Sequence, residues 1–474
     1  MVEQQVTISK GPTLDEGIVQ KFKAGLRGEL IRPEDAGYNE ARKIYNGMID
    51  RHPSLIARCT GAVDVINAVN FARANKQLVA VRGGGHNVAG NAVCDGGIVI
   101  DLSRMKGIRI DPVRRTARAE PGLTWAEFDR ETQAFGLALP GGIQSTTGIA
   151  GFTVGGGFGY LSRKYGLTVD NLLSADVVTA DGRLLIASKT ENSDLFWGIR
   201  GGGGNFGIVT SFEYGLQPVG PVILGGMMLH PLSKAKEVLR FFRDYIAKVP
   251  DELSIFIAFV TAPKAPHLPE YIQGAPALAV LICFTGTVEE GERLIQPIRK
   301  FGPPAVDLVG PKPYVVLQTM LDAANPPGWQ NYWKSEYLKG FSDEAIDTLI
   351  EYAAKRPSPM SKIMIGNLLG AVNRVSDDET PYSHRDAPFI INIISMWQDT
   401  TKNEENIKWA RDLWNAVQPF ATGGVYVNFL MTEGADRVMA AYGKKKYERL
   451  VALKNKYDPT NFFSLNQNIK PGKL

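Results

Sequence analysis

The sequence predicts an α+β protein of more than one domain, and three observations point there. Glycine is over-used, with 50 in 474 residues, and many fall between Gly83 and Gly207 in clusters separated by short apolar runs. After Gln217-Pro-Val-Gly-Pro221 the texture changes to amphipathic helical patterns and alternating apolar runs. The last stretch, Tyr457 to Asn468, is unusually rich in side-chain amides for a terminus. A chain of this length is expected to fold as two or three domains with ample core.

Each element has its own signal. Thr60 is placed to cap a helix with Val65, Val69 and Ala72 on one face, running to about Asn75. A strand at Leu78–Val81 and another at Gly97–Asp101 flank a glycine loop. Ile108–Ile110 and Thr116–Ala119 alternate about Asp111-Pro112, the pattern of a hairpin. Trp125–Phe135 reads as a helix ending at Gly136, and Gly141–Gly159 is a second glycine-rich region. Val177–Thr179 and Arg183–Ala187 flank the turn signal Ala180-Asp-Gly182. A third cluster, Arg200–Gly207, leads into a strand at Ile208–Phe212. Beyond the proline-rich boundary, Glu237–Ile246 and Glu289–Lys300 read as helices. Leu253–Val260 and Ala277–Phe284 read as antiparallel strands with one covered face, and Ile390–Met396 as a central strand. Asn325-Pro-Pro-Gly328 is a loop.

Composition excludes several classes. Hydrophobic residues make up 44% and charged residues 22%, as in ordinary globular proteins. The net charge of +4 is dispersed, and the densest basic run, Lys444–Lys446, reads as a solvated helix face rather than a nucleic-acid site. Met1–Thr7 lacks a basic start followed by an apolar core, and no apolar run is long enough to cross a bilayer. Cys59, Cys94 and Cys283 are too few and too scattered for a disulfide framework or a metal site. The expectation is a reduced, cytoplasmic protein without metal, nucleic-acid or membrane partners.

The chemistry concentrates at Arg82-Gly-Gly-Gly-His86. Glycines let a backbone come close to a ligand and aim N–H groups at phosphate oxygens, and a histidine at the rim of such a nest can touch the bound cofactor. Alone, these residues are equally a glycine turn with an incidental histidine. The cluster Gly155-Gly-Gly-Phe-Gly159 follows the loop Ser145-Thr-Thr-Gly148 rather than opening a βαβ unit, so a dinucleotide fingerprint fits poorly. No G-K-[ST] is present, which excludes a P-loop.

Taken together these stretches resemble the flavin oxidoreductases of the vanillyl-alcohol oxidase (PCMH) superfamily, in its berberine-bridge-enzyme-like branch. The resemblance is carried by Arg82–His86, by Gly141–Gly159 continuing through Tyr160-Leu-Ser-Arg163, and by Asp170–Ser174. Asp176–Gly182, Asp194–Ile208 and Tyr457-Asp-Pro with Asn466-Gln-Asn468 extend it over nearly the whole chain. It implies a two-part FAD-binding domain of PCMH type from residues 1–219 and 421–474. An α/β substrate domain at 220–420 would lay an antiparallel sheet over the flavin.

By the same resemblance, a neutral His86 bonds covalently to the flavin 8α carbon. Arg82, Gly83, Gly84, Gly85, Asn87, Gly141, Thr146, Thr147, Gly148, Gly151, Gly155, Gly207, Ile208, Asn466 and Asn468 are expected to contact FAD. Many relatives carry a second, cysteinyl link, but Gln144 stands at that position here, so one link is expected.

The usual catalytic groups are absent. Ile390 occupies the glutamate position, with Asn392 the nearest polar residue, and Phe429 follows Asn428 where relatives place a tyrosine. Tyr426 is the candidate substitute base, with Tyr314, Tyr332 and His384 as alternatives. Thr153 matches the position that helps set oxygen access, and Trp329, Tyr332, Trp333 and Trp397 are candidates for an aromatic wall. The implied activity is an FAD-dependent oxidase. It would transfer hydride from an alcohol, hemiacetal or amine carbon to flavin and reduce O2 to H2O2. The alternatives are a dehydrogenase with another acceptor, or a flavin-loaded protein without redox turnover.

Overall fold

Short β-branched runs on either side of the first glycine cluster pair into a mostly parallel sheet. The computed structural model describes residues 14–266 and 268–472, so the Met1–Thr7 stretch lies outside the described residues. Strands Glu29–Ile31, Leu55–Arg58, Ile98–Asp101 and Val79–Arg82 lie in that order. The first pair is antiparallel and the rest parallel. The crossover helix is Ala62–Ala74, and the expected face of Val65, Val69 and Ala72 is fully buried beneath it.

Thr60 does not cap that helix. The cap is Gly61, without a side-chain hydrogen bond. The Thr60 hydroxyl instead donates to Asp64, whose carboxylate also accepts the backbone N–H groups of Arg27, Gly28 and Thr60. A buried carboxylate offers more acceptor capacity than a hydroxyl, so it becomes the hub of this junction.

The second sheet is antiparallel, in the order Ile108–Asp111, Thr116–Ala119, Ile208–Gly215, Leu172–Val178, Leu184–Ser188. Both expected hairpins are present. The helix Trp125–Gln133 is held by a capping box between Thr124 and Glu127 and stops short of Phe135. The proline-rich boundary segment is itself structured, since Gln217–Pro218 pairs with Leu137–Ala138.

Residues 222–397 build an eight-stranded antiparallel sheet. Helices Ala235–Ile246, Val288–Lys300, Asp343–Ala354 and Asn403–Val417 contribute Leu239, Phe242, Ile295, Leu349, Trp409 and Leu413 to the core on one face. Alternate strand residues supply the other half of that core, such as Ile255, Ile257, Leu278, Val280, Ile391 and Ile393. The opposite parity, including Phe256, Ala258, Ala279, Leu281 and Ile390, belongs to the core shared with the glycine-rich part. Both faces are therefore covered, not one as the sequence suggested. Strand Phe389–Trp397 is buried throughout and lies between Lys362–Asn367 and Gln330–Leu338.

The chain then returns to the glycine-rich part through helices Ala435–Tyr442 and Lys444–Tyr457. The basic run at its start is not wholly solvated, because Lys446 is buried and paired with Asp377 at 2.7 Å. Lys454 is also buried, donating to Asp458 (2.6 Å) and to the carbonyls of Asn205 (2.9 Å) and Phe463 (3.0 Å). It ties the terminus to the third glycine cluster. Cys59, Cys94 and Cys283 are free and buried, and among the described residues no helix is long and apolar enough to cross a membrane.

Removing one partner of a buried pair strands the other, at a cost of about 3–5 kcal/mol. Lys454→Met is expected to lower the denaturant midpoint accordingly. Lys456→Met, which breaks the exposed pair with Asp194, should stay within about 1 kcal/mol of wild type.

Candidate active site

Strand Val79–Arg82 delivers the chain into the loop Gly83–Asn87, and Gly85 takes a left-handed backbone (φ +71) just before His86. This loop rests on the second glycine region by direct backbone contact. A Cβ on Gly84 would sit 2.5 Å from the Gly148 nitrogen, and one on Gly148 would sit 2.5 Å from the Gly84 nitrogen. The two loops form one floor.

His86 stands on that floor, half-buried. Tyr45 stacks on its ring at 4.3 Å, and its Nε2 is hydrogen-bonded to Thr146 Oγ1 at 3.3 Å. Burial pushes the imidazole down to about 4, so the ring is neutral at physiological pH. Gln144 Nε2 donates to Thr146 Oγ1 (3.1 Å) and to the Asn325 carbonyl (3.3 Å). Ser145 donates through its backbone and hydroxyl to Asp322. The segment 322–329 is thereby strapped to the floor, and Gly328 N donates to the Tyr45 carbonyl at 2.9 Å.

Above the floor lies a cavity of about 300 Å³, within the range of small-molecule sites. Its roof is the inward parity of the large sheet: Phe256, Ala258, Val260, Ala279, Leu281, Lys362, Met364, Ile390, Asn392 and Ile394. Asn392 is buried and its Oδ1 has no hydrogen-bond partner. Lys362 donates to the Ala324 carbonyl (3.1 Å) and to Asn325 Oδ1 (2.6 Å), and burial pushes its ammonium down to about 8.

Of the residues expected at the site, Gly83, Gly84, Gly85, His86, Asn87, Thr147, Gly148, Gly151, Asn392, Tyr426 and Asn428 line this cavity. Thr146 joins through its bond to His86. The others do not line it. Arg82 points away, paired with Asp101 Oδ2 at 2.5 Å and donating to the Ala41 and Lys43 carbonyls. Thr153 is fully buried, with its hydroxyl on Tyr214 at 2.8 Å, so it does not face the cleft. A Cβ added at Gly141, Gly155 or Gly207 would run into Trp125, Asn428 or Val177, so each backbone lies close against its neighbour, while the Ile208 side chain is in the core. Asn466 donates to the carbonyls of Gly204 and Phe463, away from the cavity wall. The Oδ1 atoms of Asn466 and Asn468 are buried without partners.

Tyr426 lines the cavity but is engaged. Its phenol oxygen accepts Gly157 N–H (2.9 Å) and Asn428 Nδ2 (2.7 Å), and burial pushes its pKa far up. A phenol that accepts two donors and resists ionisation is a pin, not a proton acceptor. The alternatives stand elsewhere: Tyr314 is in the core, Tyr332 accepts from Arg411, and His384 is bonded to the Ala440 carbonyl. Trp333 is the one member of the expected aromatic wall that lines the cavity, joined by Phe152, Phe158 and Phe429. Trp329, Tyr332 and Trp397 do not line it. Tyr45, Asn325 and Lys362 were not anticipated. The alternation Lys362-Ile-Met-Ile in a strand carried a signal for Lys362, whereas the Tyr45 stack had none.

Residues 53–188 match the family model for an FAD-binding domain, and residues 425–470 match the model described as berberine and berberine like. An FAD-linked oxidoreductase of Dictyostelium discoideum is 33% identical over 96% of this chain and 97% of its own. The (R)-6-hydroxynicotine oxidase of Paenarthrobacter nicotinovorans is 32% identical over 94% of this chain and 97% of its own. The crystal structure of 6-hydroxy-D-nicotine oxidase from Arthrobacter nicotinovorans superimposes with a TM-score of 0.85 at 31% identity, covering 94% and 98% of the two chains. The fold is also that of Physcomitrella patens BBE-like 1, with a TM-score of 0.84 at 24% identity over 96% and 99% of the chains. FAD suits the residues present: a glycine floor without side chains, a neutral imidazole at its rim, and buried amide oxygens still able to accept.

Replacing Tyr426 by Phe removes an acceptor for two donors and is expected to cost about 1–3 kcal/mol in stability. Turnover should stay within about tenfold of wild type. A loss of ~10²–10⁴ would instead mark Tyr426 as the base.

Proposed function

We propose that this chain, which belongs to the FAD-linked oxidoreductases of the berberine-bridge-enzyme-like family, is an oxidase that carries its flavin on a single covalent bond through His86. The carrying observation is a neutral imidazole at the rim of the glycine floor, under a sheet with a free amide acceptor. FAD supplies the acceptor for hydride from an alcohol, hemiacetal or amine carbon and returns the electrons to O2 as H2O2.

The chain's own residues divide the remaining work. His86 offers an unprotonated nitrogen, oriented by the Tyr45 stack and the Thr146 hydroxyl. Across from it Gln144 has no nucleophilic sulfur, and no cysteine lines the cavity among the described residues. The paired loops 83–87 and 144–148 let the backbone approach the cofactor, and outside the cavity wall the unpartnered Oδ1 atoms of Asn466 and Asn468 remain able to accept from a more distant part of it. We assign residues 1–219 and 421–474 to the flavin and 220–420 to the substrate. The inward face of the large sheet excludes water from the reacting carbon. Asn392 Oδ1 accepts from a substrate O–H or N–H and orients it, but an amide takes no proton. Substrates are therefore those whose proton leaves without a strong protein base. The oxidase name of the (R)-6-hydroxynicotine relative supports reoxidation by O2 and a substrate of the amine class.

Acid precipitation is expected to leave a yellow pellet, with His86→Ala releasing its flavin to the supernatant. A colourless wild-type pellet would overturn the single-link assignment. Flavin retained in the acid-washed pellet after adding FAD to apoprotein should be constant from about pH 8 to about pH 5.5. It should fall only as His86 protonates near pH 4, because burial lowers the ordinary value of 6.5 to about 4. A decline centred at about pH 6.5 would mean a solvated imidazole. A panel of alcohols, sugars and amines should yield peroxide in step with substrate consumed. Flavin that bleaches yet stays reduced in air would make the protein a dehydrogenase.

A further inference from the structure

Among the residues lining the cavity, Lys362 alone carries a formal charge at neutral pH. Its side chain is nine-tenths buried, and no carboxylate pairs with it among the described residues. An ammonium has three N–H donors. Two go to neutral oxygens of the strap, Ala324 O and Asn325 Oδ1, and the third is left over. Latching the strap through two neutral oxygens needs donors but no charge. Burying an uncompensated cation is costly, and a partner anion removes that cost.

The second observation is Asn392. Its buried Oδ1 has no partner and lines the same cavity. In the sheet register Lys362 lies opposite Ile394, and Met364 lies opposite Asn392. Lys362 and Asn392 are therefore diagonal neighbours on one face, about 7–8 Å apart. Met364, Ile390, Ile394 and Trp333 make their surroundings apolar.

We propose that Lys362 selects the substrate of the oxidation assigned above: a largely apolar, ring-sized molecule bearing a carboxylate or phenolate that Lys362 binds, with its oxidisable carbon at the Asn392 end. The assignment rests on the oxidase reading for which carbon reacts, and on the geometry alone for the anion. Although burial lowers the ammonium to about 8, it remains charged at pH 7. Its remaining N–H makes a charge-assisted hydrogen bond to the anion, the stronger kind.

The test uses the holoenzyme, with binding read by calorimetry and by tryptophan fluorescence, for benzoate against benzamide and 3-phenylpropionate against its amide. Wild type should bind the acids at least about tenfold more tightly than the amides. Lys362→Gln keeps a donor for the strap but loses the charge, and should bind acid and amide equally. Acids that bind no better than amides to wild type would overturn the proposal even if the variant failed to fold. So would a preference that survives in Lys362→Gln. Binding is read without turnover, which separates the two claims. If acids bind through Lys362 but no substrate ever bleaches the flavin anaerobically, the oxidase reading fails alone. If neutral compounds turn over while acids show no preference, only the anion assignment fails.

Discussion

Contact between two bare backbones, Gly84 against Gly148, is the constraint on which the rest of the site depends. Either residue with a side chain would drive a carbon to 2.5 Å of the other's nitrogen, and neither neighbour is a flexible group able to yield. Because the loops touch, His86 meets Thr146, Thr146 meets Gln144, and Gln144 reaches Asn325. Below them the Arg82–Asp101 pair fixes the ends of two parallel strands, so the floor cannot tilt without separating a buried ion pair. The glycines are there for proximity more than for flexibility.

What was legible follows from range. The hairpins at Ile108–Ala119 and Val177–Ala187 depend on alternation and turn residues within a dozen positions, and both are readable. The same holds for the buried face of Ala62–Ala74. The Thr60 cap failed because Asp64, a nearby and stronger acceptor, competes for the same groups. The second covered face of the large sheet was hidden because its cover comes from residues before 220 and after 420. Arg82 and Thr153 were assigned by position in a motif, yet strand and helix geometry turn their side chains the other way. Adjacency in sequence sets where the backbone goes. It does not set where a side chain points.

The polar path from His86 through Thr146, Gln144 and Asn325 to Lys362 joins the cofactor floor to the roof. By the resemblance seen in the sequence, its Gln144 member stands where many relatives carry a cysteine. An amide at this point links two loops by hydrogen bonds that break and re-form, whereas a thioether would fasten the floor to the cofactor. The strap 322–329 is thus tied to the surroundings of His86 through groups of modest individual strength, each worth about 1 kcal/mol.

The sheet of residues 222–397 separates two kinds of selection in one stretch of chain. Residues such as Ile255, Ile257, Ile391 and Ile393 face the helices and set whether the layer holds together. Their immediate neighbours Phe256, Ala258, Ile390, Asn392 and Ile394 face the cavity and set its shape and polarity. Consecutive positions therefore answer to different pressures. The pocket can diversify at every second residue while the packed side stays untouched, so a change of diet need not pass through a loss of fold.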